Sequence, residues 1–272
     1  KKQQNTYMVL MDYLRRQKNL SMYPYYERIL GKTSGQQAQI LLTLSEYRLK
    51  NEKDIKSYFQ LLKGLDGYFD SLIEYSKEQA KRNLFLSDQS LKEVLQQIQN
   101  VIKQKENNML VATFNLRIAD IKGINAAQKK KYCRENKKLI GTKVLSAYEK
   151  LYSHLQALNG NGKNENGLYY YKNGKEYYKV LVAQKTGSDK TIEEMIEISD
   201  RSIEKCLRKL IKLQKKYPNI INEYRNHKKN IKIVQNPQNI LNKLRQKMVK
   251  YYPKAPKVSC KIKYVHKTME EY

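Results

Sequence analysis

The sequence has few of the residues that build metal centres and disulfide frameworks. It contains three cysteines, three histidines and no tryptophan among 272 residues. An odd number of cysteines with no CxxC pair argues against a disulfide framework and against a zinc ribbon. We interpret them as packed thiols, since a free cysteine usually behaves as a small buried apolar residue: Cys133, Cys206 and Cys260.

Long apolar runs are also absent from the sequence. A helix that crosses a bilayer needs about 20 predominantly apolar residues, and no run of about 18 occurs here. We therefore expect no membrane span. The N-terminus reads Lys1, Lys2 and then the polar run Gln3 to Asn5, which lacks the apolar region of a signal peptide.

Acidic residues are scarce relative to basic ones. The chain has 26 Asp and Glu against 54 Lys and Arg, a formal net charge of +28. A field of that size attracts polyanions, so nucleic acid must be considered as a partner. The lysines are interleaved with apolar residues at helical spacing, however, as solvated helix faces are, and no helix-turn-helix, RRM-type or zinc-finger signature occurs.

Apolar residues recur every three or four positions along most of the chain, which predicts helices. A first helix should end before Pro24, because proline disfavours the helical conformation of its predecessor. Ser87 is expected to cap another helix, and a long one is expected from about Ala126 to Leu158. Thr191 and Glu194 form a capping-box pattern that starts a further long helix. The sequence predicts a mainly α protein, an elongated multi-helix bundle.

Two features predict a small β element in the C-terminal half. Asn173 and Gly174 separate two tyrosine-rich runs, and Asn-Gly between such runs is a strong signal for a tight hairpin. The alternating segment from Val258 to Tyr264 is typical of a strand that could join this hairpin in a sheet. The loop after residue 159 suggests two parts, a helical domain (1–159) and a region with the hairpin, the long helix and the edge strand (160–272).

Three residue types near this predicted hairpin are candidates for a site. If the segment is extended, Tyr177 and Tyr178 point to opposite faces, so that one packs inward while the other lines a cleft. Lys175 is a candidate partner for a substrate carboxylate. We assign structural roles to the glycines that permit turns: Gly167, Gly174 and Gly187.

Two segments of the chain resemble the signature of a bacterial family of unknown function, DUF885. The first is YPYYERILGKTSGQQAQILLTLSEYRLKNEKDIKSYFQLL, from Tyr23 to Leu62, and the second is GLYYYKNGKEYY followed by TGSDKTIEE, within Gly167 to Glu194. The resemblance covers nearly the whole chain. It departs from the family pattern at Thr43, and at Lys172, where the family usually has proline.

Members of this family look like gluzincin-type zinc metallopeptidases, which carry an HExxH helix with two zinc-binding histidines and a catalytic glutamate. No HExxH occurs in the sequence, and the three histidines lack any metal-ligand spacing: His154, His227 and His266. The resemblance thus implies an internal segment without catalytic or metal residues, inactive alone, whose partner is the catalytic half of the same polypeptide. Zinc, a peptide substrate and an extracytoplasmic location are implied for the parent protein.

Two functions follow from these observations. In the first, the chain is the helical, non-catalytic portion of a zinc-dependent metallopeptidase-like hydrolase and forms walls of its substrate channel. In the second, it is a free-standing basic helical protein that binds an acidic partner such as nucleic acid.

Overall fold

The described part of the protein is helical throughout. The structure is a computed structural model and describes residues 2–162, 166–230, 236–253 and 262. These residues form no β-strand. The α-helices, in chain order, are α1 (Lys2–Ser21), α2 (Gln36–Glu46), α3 (Glu52–Lys81), α4 (Asp88–Gln104), α5 (Met109–Ala119), α6 (Ala126–Leu139), α7 (Leu145–Gln156), α8 (Gly174–Thr186), α9 (Ile192–Lys216), α10 (Ile220–Asn230) and α11 (Pro237–Met248).

The described residues divide into two compact units, one ending at Asp189 and the other beginning at Lys190. The sequence-based boundary at residue 159 lies inside the first unit. There, the Asp88 carboxylate at the start of α4 accepts hydrogen bonds from the backbone N–H groups of Gly160 (3.0 Å) and Gly162 (3.3 Å). The loop after α7 is therefore attached to α4.

The core of the first unit forms around α3, whose 30 residues pack against α6 and α7. Tyr58, Phe69 and Tyr148 are fully buried, and the Phe69 and Tyr148 rings meet edge to face with centroids 4.7 Å apart. The Tyr148 hydroxyl donates a hydrogen bond of 2.5 Å to the Gln37 carbonyl oxygen. A buried tyrosine needs such a partner for its polar tip, and this one ties α7 to α2.

Local sequence signals are confirmed at several helix starts. The Ser87 hydroxyl accepts a hydrogen bond from Ser90 N at the start of α4. Thr191 and Glu194 form the reciprocal capping box ahead of α9, with bonds of 3.1 and 2.7 Å. The predicted helix from Ala126 is present as α6 and α7, joined by the π-helical segment Ile140–Val144.

The predicted β-hairpin around Asn173 and Gly174 is wrong. A type I′ hairpin turn needs both central residues in the left-handed region, but only Asn173 is there, with a φ of 55°. Gly174 instead begins α8, after a short 3-10 turn at Leu168–Tyr170. Inward-facing residues spaced by three and four positions, as in Tyr177 and Leu181, favour a helix that packs on α1. The predicted strand from 258 to 264 lies outside the described residues, apart from Ile262.

Among the described residues, none of the helices combines the length and apolar character that a bilayer crossing requires.

A substitution at Gly174 tests how tightly the start of α8 is packed. A Cβ atom added to Gly174 would overlap the Leu168 carbonyl oxygen, whereas one added to Gly64 on α3 would meet nothing within 4 Å. We expect Gly174→Ala to lower the free energy of unfolding by roughly 1–3 kcal/mol, because backbone has to move. Gly64→Ala should raise it by about 0.5–1 kcal/mol, through helix propensity. Urea titrations of both variants measure this, and equal effects would contradict the close approach.

Candidate functional site

The end of α1 and the start of α8 meet in a cluster of tyrosine rings. The Tyr26 and Tyr177 ring centroids are 4.9 Å apart, and Tyr23 lies 5.6 Å from each of them. The Tyr26 hydroxyl donates a hydrogen bond to the carbonyl oxygen of Lys172, 146 positions along the chain. The PYYE and GKEYY segments, on which the family resemblance rests, are thus in direct contact.

The last turns of α3 hold the PYYE segment from its other side. The side-chain amide of Gln79 donates to the carbonyl oxygens of Tyr25 (2.8 Å) and Glu27 (3.0 Å). The Arg82 guanidinium lies 4.4 Å from the centre of the Tyr25 ring, which is cation–π distance. Tyr25 has a φ of 70°, a left-handed conformation that costs energy for any residue but glycine. The contacts from α3 hold the chain in this conformation.

The tyrosine cluster forms one wall of a cleft of about 710 Å³ in the first unit. This volume is within the range of roughly 300–1,000 Å³ that is usual for small-molecule sites. Aromatic and aliphatic side chains provide much of the lining, including Leu20, Tyr26, Leu84, Leu86, Leu168, Tyr171, Tyr177 and Leu181. Polar and charged side chains complete it, including Gln17, Glu27, Arg28, Ser34, Gln36, Gln79, Ser87, Ser90, Gln184 and Lys185.

The tyrosines of the cleft remain protonated at neutral pH. Burial raises the pKa values of Tyr26, Tyr171 and Tyr177 above the ordinary value for tyrosine. Burial, with the nearby Glu27 carboxylate, also raises the pKa of Tyr75, which packs on Tyr25 outside the cleft lining, to about 12. A phenol with a raised pKa is a poor general base. These hydroxyl groups therefore suit hydrogen bonding and packing, not proton transfer.

Gln184 on α8 supplies an unsatisfied hydrogen-bond acceptor at this cleft. Its side-chain Oε1 is buried and finds no donor among the described residues. A buried carbonyl oxygen without a donor costs about 1–3 kcal/mol. If the Gln184 side chain rotated toward the cleft, a ligand N–H or O–H group would remove that cost.

A glycine-rich loop between α1 and α2 adjoins the cleft. The Gln37 side-chain amide donates to the Gly31 carbonyl oxygen (2.7 Å) and to Gln97 Oε1 on α4 (2.8 Å). Gly35 donates its backbone N–H to the same Gly31 oxygen (3.0 Å), and a Cβ atom on Gly35 would overlap Gly31. The LGKTSGQQ segment thus leaves no room for a side chain at Gly35.

Arg16 and Asp189 connect α1 to the end of α8. Arg16 is only 6% exposed, and its guanidinium lies 2.7 Å from an Asp12 oxygen and 2.9 Å from an Asp189 oxygen. It also donates to the carbonyl oxygens of Ala183 and Ser188, both at 3.2 Å. Buried arginine needs partners of this kind, and the TGSD segment provides two of the four, Ser188 and Asp189.

The structure separates the three candidate substrate-lining residues. Tyr177 is 4% exposed and lines the cleft, whereas Tyr178 is 45% exposed on another face of α8. The Lys175 ammonium lies 4.3 Å from the Tyr169 ring centre. Of the described residues, those that line the cleft include neither Lys175 nor Tyr178.

The three candidate turn glycines have different environments. Gly167 also lines the cleft and has a φ of 89°. Gly187 ends α8 with a φ of 65°, as glycine commonly does at a helix C-terminus. Gly174 has helical backbone and sits against Leu168.

Metal-ligating side chains do not converge in the part of the chain that the structure describes. His154 lies on α7, with its Nδ1 atom 2.9 Å from the Lys150 carbonyl oxygen. Cys133 is half-buried, and burial raises the pKa of its thiol. The prediction of a packed thiol is wrong for Cys206, which is exposed on α9. His266 and Cys260 lie outside the described residues.

Sequence reasoning missed the residues that tie the cleft together. Gln79 and Gln184 carry no motif signal, and their roles depend on contacts with distant segments. Asp12 and Arg16 are four positions apart on α1, a spacing typical of helix ion pairs, which was the one available signal. The pairing with Asp189 could not be read from it.

In the part of the chain that the structure describes, these observations define a helical fold with a tyrosine-walled cleft built from two distant motif segments. The chain belongs to the family described as bacterial protein of unknown function (DUF885), whose profile matches residues 1–272. A comparison with curated proteins finds no significant match.

A solved structure shares the fold of this chain. It is the "putative lipoprotein" from Colwellia psychrerythraea, with a TM-score of 0.60 and 18% sequence identity. The match covers 65% of this chain and 31% of that chain. The matched part of this chain therefore corresponds to about a third of the length of the Colwellia chain.

The Arg16 network predicts a pH dependence of stability. The hydrogen bond from Arg16, followed by that from Arg15, lowers the pKa of Asp189. A carboxylate whose pKa is lower in the folded than in the unfolded chain stabilises the fold above the unfolded value, about 3.9. That stabilisation is lost as the pH falls through the folded pKa. We expect Asp189→Asn to lower the melting temperature at pH 7, by an amount that shrinks as the pH falls below the unfolded pKa of aspartate.

Thermal melting followed by circular dichroism between pH 2.5 and 7 measures this difference. Asp200→Asn, at an exposed position of α9, is the control and should show little change. A difference for Asp189→Asn that is the same at every pH would contradict the ion-pair explanation.

Proposed function

We propose that this chain is the helical, non-catalytic portion of a zinc-dependent metallopeptidase-like hydrolase and that its tyrosine-walled cleft forms part of the substrate channel. Catalytic residues and zinc would lie on polypeptide outside these 272 residues. On this proposal, the chain alone has no hydrolytic activity.

The observation that carries the proposal is the contact between the two motif segments. Tyr26 and Tyr177 belong to different segments of the family resemblance and pack on each other in the wall of one cleft. The two segments that carry the family resemblance in the sequence thus form one surface, the wall of the cleft. The fold shared with 31% of the longer Colwellia chain also fits a role as one part of a larger protein.

The chemistry of the lining suits a peptide. Tyrosine and leucine side chains provide apolar contact area, and the Gln184 side chain, once rotated toward the cleft, would accept a hydrogen bond from a peptide N–H. The Arg28 and Lys185 side chains add positive charge for acidic groups of a substrate. Because the Colwellia protein is described as a "putative lipoprotein", we also propose an extracytoplasmic location.

Binding of an acidic partner such as nucleic acid is the second candidate function. It is supported by the net charge of +28 and by the last 12 residues of α9, which include six basic and no acidic side chains. The binding it predicts is tight and weakens steeply with added salt.

Peptide hydrolysis, measured for the 272-residue chain and for the full polypeptide encoded by its gene, distinguishes the hydrolase proposal from binding of an acidic partner. We expect the 272-residue chain to cleave no member of a peptide library, and the full polypeptide encoded by its gene to cleave some of them. A chelator should abolish that cleavage and zinc should restore it. Hydrolysis by the shorter chain, or a gene that encodes no more than this chain, would contradict the proposal.

Two substitutions in the active full polypeptide then test the cleft itself. Gln184→Leu should raise KM several-fold with little change in kcat, since it removes binding and not chemistry. Lys175→Gln, outside the cleft, is the matched control and should leave KM unchanged. The same KM for both variants would show that the cleft does not contact the substrate.

A further inference from the structure

The cleft carries more positive than negative charge. Of the described residues that line it, Arg28 and Lys185 bear cations, and Glu27 bears the one carboxylate. Both cations are exposed to solvent. Within the described part of the chain, no ion pair joins Glu27 to either of them. The two cations are therefore available to an anionic group of a ligand.

Arg28 is anchored by one of its donors and keeps the others free. Its Nε atom donates a hydrogen bond to the Leu30 carbonyl oxygen (3.3 Å). The N–H groups on its two Nη atoms have no partner among the described residues. A guanidinium presents these donors as a planar fork, which matches a carboxylate and binds it through two parallel hydrogen bonds.

The adjacent residues Glu27 and Arg28 act on different tyrosines of the cleft. Burial, and then the Glu27 carboxylate, raises the pKa of Tyr177. Burial also raises the pKa of Tyr171, but there the Arg28 charge opposes the rise. Glu27 is thus near Tyr177 and Arg28 near Tyr171, so Glu27 leaves the Arg28 cation unneutralised.

Tyr171 provides a fixed wall beside the Arg28 cation. It is half-buried, and its hydroxyl donates a hydrogen bond to the Phe85 carbonyl oxygen (3.1 Å). A wall of low dielectric strengthens the attraction of a neighbouring charge for an anion. A carboxylate on Arg28 would therefore be bound more strongly than on an arginine surrounded by water.

We propose that Arg28 binds a carboxylate of the peptide substrate, with Lys185 as a second cation, and that the cleft thereby selects acidic peptides. The carboxylate belongs to an Asp or Glu side chain or to the peptide C-terminus, which share this chemistry. The identity of the ligand as a peptide rests on the proposed substrate channel. Carboxylate binding itself is a property of this chain and needs no zinc.

Three acetylated tripeptides test the carboxylate site, by isothermal titration calorimetry with the 272-residue chain. Leu-Glu-Leu amide has a side-chain carboxylate, Leu-Gln-Leu amide is its neutral isostere, and Leu-Gln-Leu acid has only the terminal carboxylate. We expect at least one carboxylate peptide to bind roughly ten-fold more tightly than the neutral one, and the tighter of the two identifies the source. Equal affinity for all three, or no binding at about 5 mM peptide, would overturn the proposal.

Substitutions of Arg28 test its role in this preference. Arg28→Gln should abolish the preference, and Arg28→Lys should keep only part of it, because lysine retains the charge without the planar fork. Lys32→Gln is the matched control, since it removes the same charge from an exposed position outside the cleft lining. Arg28 is exposed as well, so the helical circular dichroism of these variants should equal that of the wild type.

The control also separates a specific site from general attraction by the net charge. The same loss for Lys32→Gln as for Arg28→Gln would overturn the proposal. A single-stranded oligonucleotide that displaces the peptide and binds more weakly to Arg28→Gln than to Lys32→Gln would assign the cleft to nucleic acid and would also overturn it.

Failure of this inference can be distinguished from failure of the hydrolase proposal. If the full polypeptide cleaves acidic and neutral peptides with equal kcat/KM, the carboxylate assignment fails and the hydrolase proposal stands. If the 272-residue chain binds carboxylate peptides through Arg28 while the full polypeptide hydrolyses none, the carboxylate site stands and the hydrolase proposal fails.

Discussion

Contact between the Tyr26 and Tyr177 rings joins two segments that are far apart in sequence, and the cleft exists because they meet. Tyr26 lies just after α1 and Tyr177 in the first turn of α8, with ring centroids 4.9 Å apart. Polar groups fix the segments around them. Gln79 holds the chain after α1, and Arg16 holds the end of α8. Gln79 has its hydrogen-bond partners on the segment after α1, and Arg16 has partners at the end of α8 as well as Asp12 on its own helix. These polar contacts favour one arrangement of the segments.

Much of the helical fold follows from local sequence. The three-and-four spacing along α3, the Ser87 cap and the Thr191 capping box are each set by neighbouring residues. The hairpin prediction failed because the Asn-Gly signal is also local and describes only the turn, not the segments on either side of it. Asn173 does take the left-handed conformation, but the inward-facing residues that follow it have helical spacing, and packing against α1 decides the outcome.

The cleft could not be predicted in the same way. Its walls depend on pairings such as Tyr26 with Lys172, which lie 146 positions apart. Neither the spacing of apolar residues nor a helix-capping pattern in the sequence indicates such a contact. The family resemblance selected the right segments without showing that they meet. Within the GKEYY segment it could not decide between Tyr177 and Tyr178. Their faces depend on α8 being a helix, which puts Tyr177 in the cleft wall and leaves Tyr178 45% exposed.

A double-mutant cycle between Tyr26 and Tyr177 tests this account most directly. Free energies of unfolding from urea titrations would be compared for Tyr26→Leu, Tyr177→Leu and the double variant, with Tyr178→Leu replacing Tyr177→Leu in a control cycle. We predict a coupling energy of about 0.5–1.5 kcal/mol for Tyr26 with Tyr177, and additivity within about 0.3–0.5 kcal/mol in the control. Additivity in both cycles would contradict the claim that the two motif segments build one site.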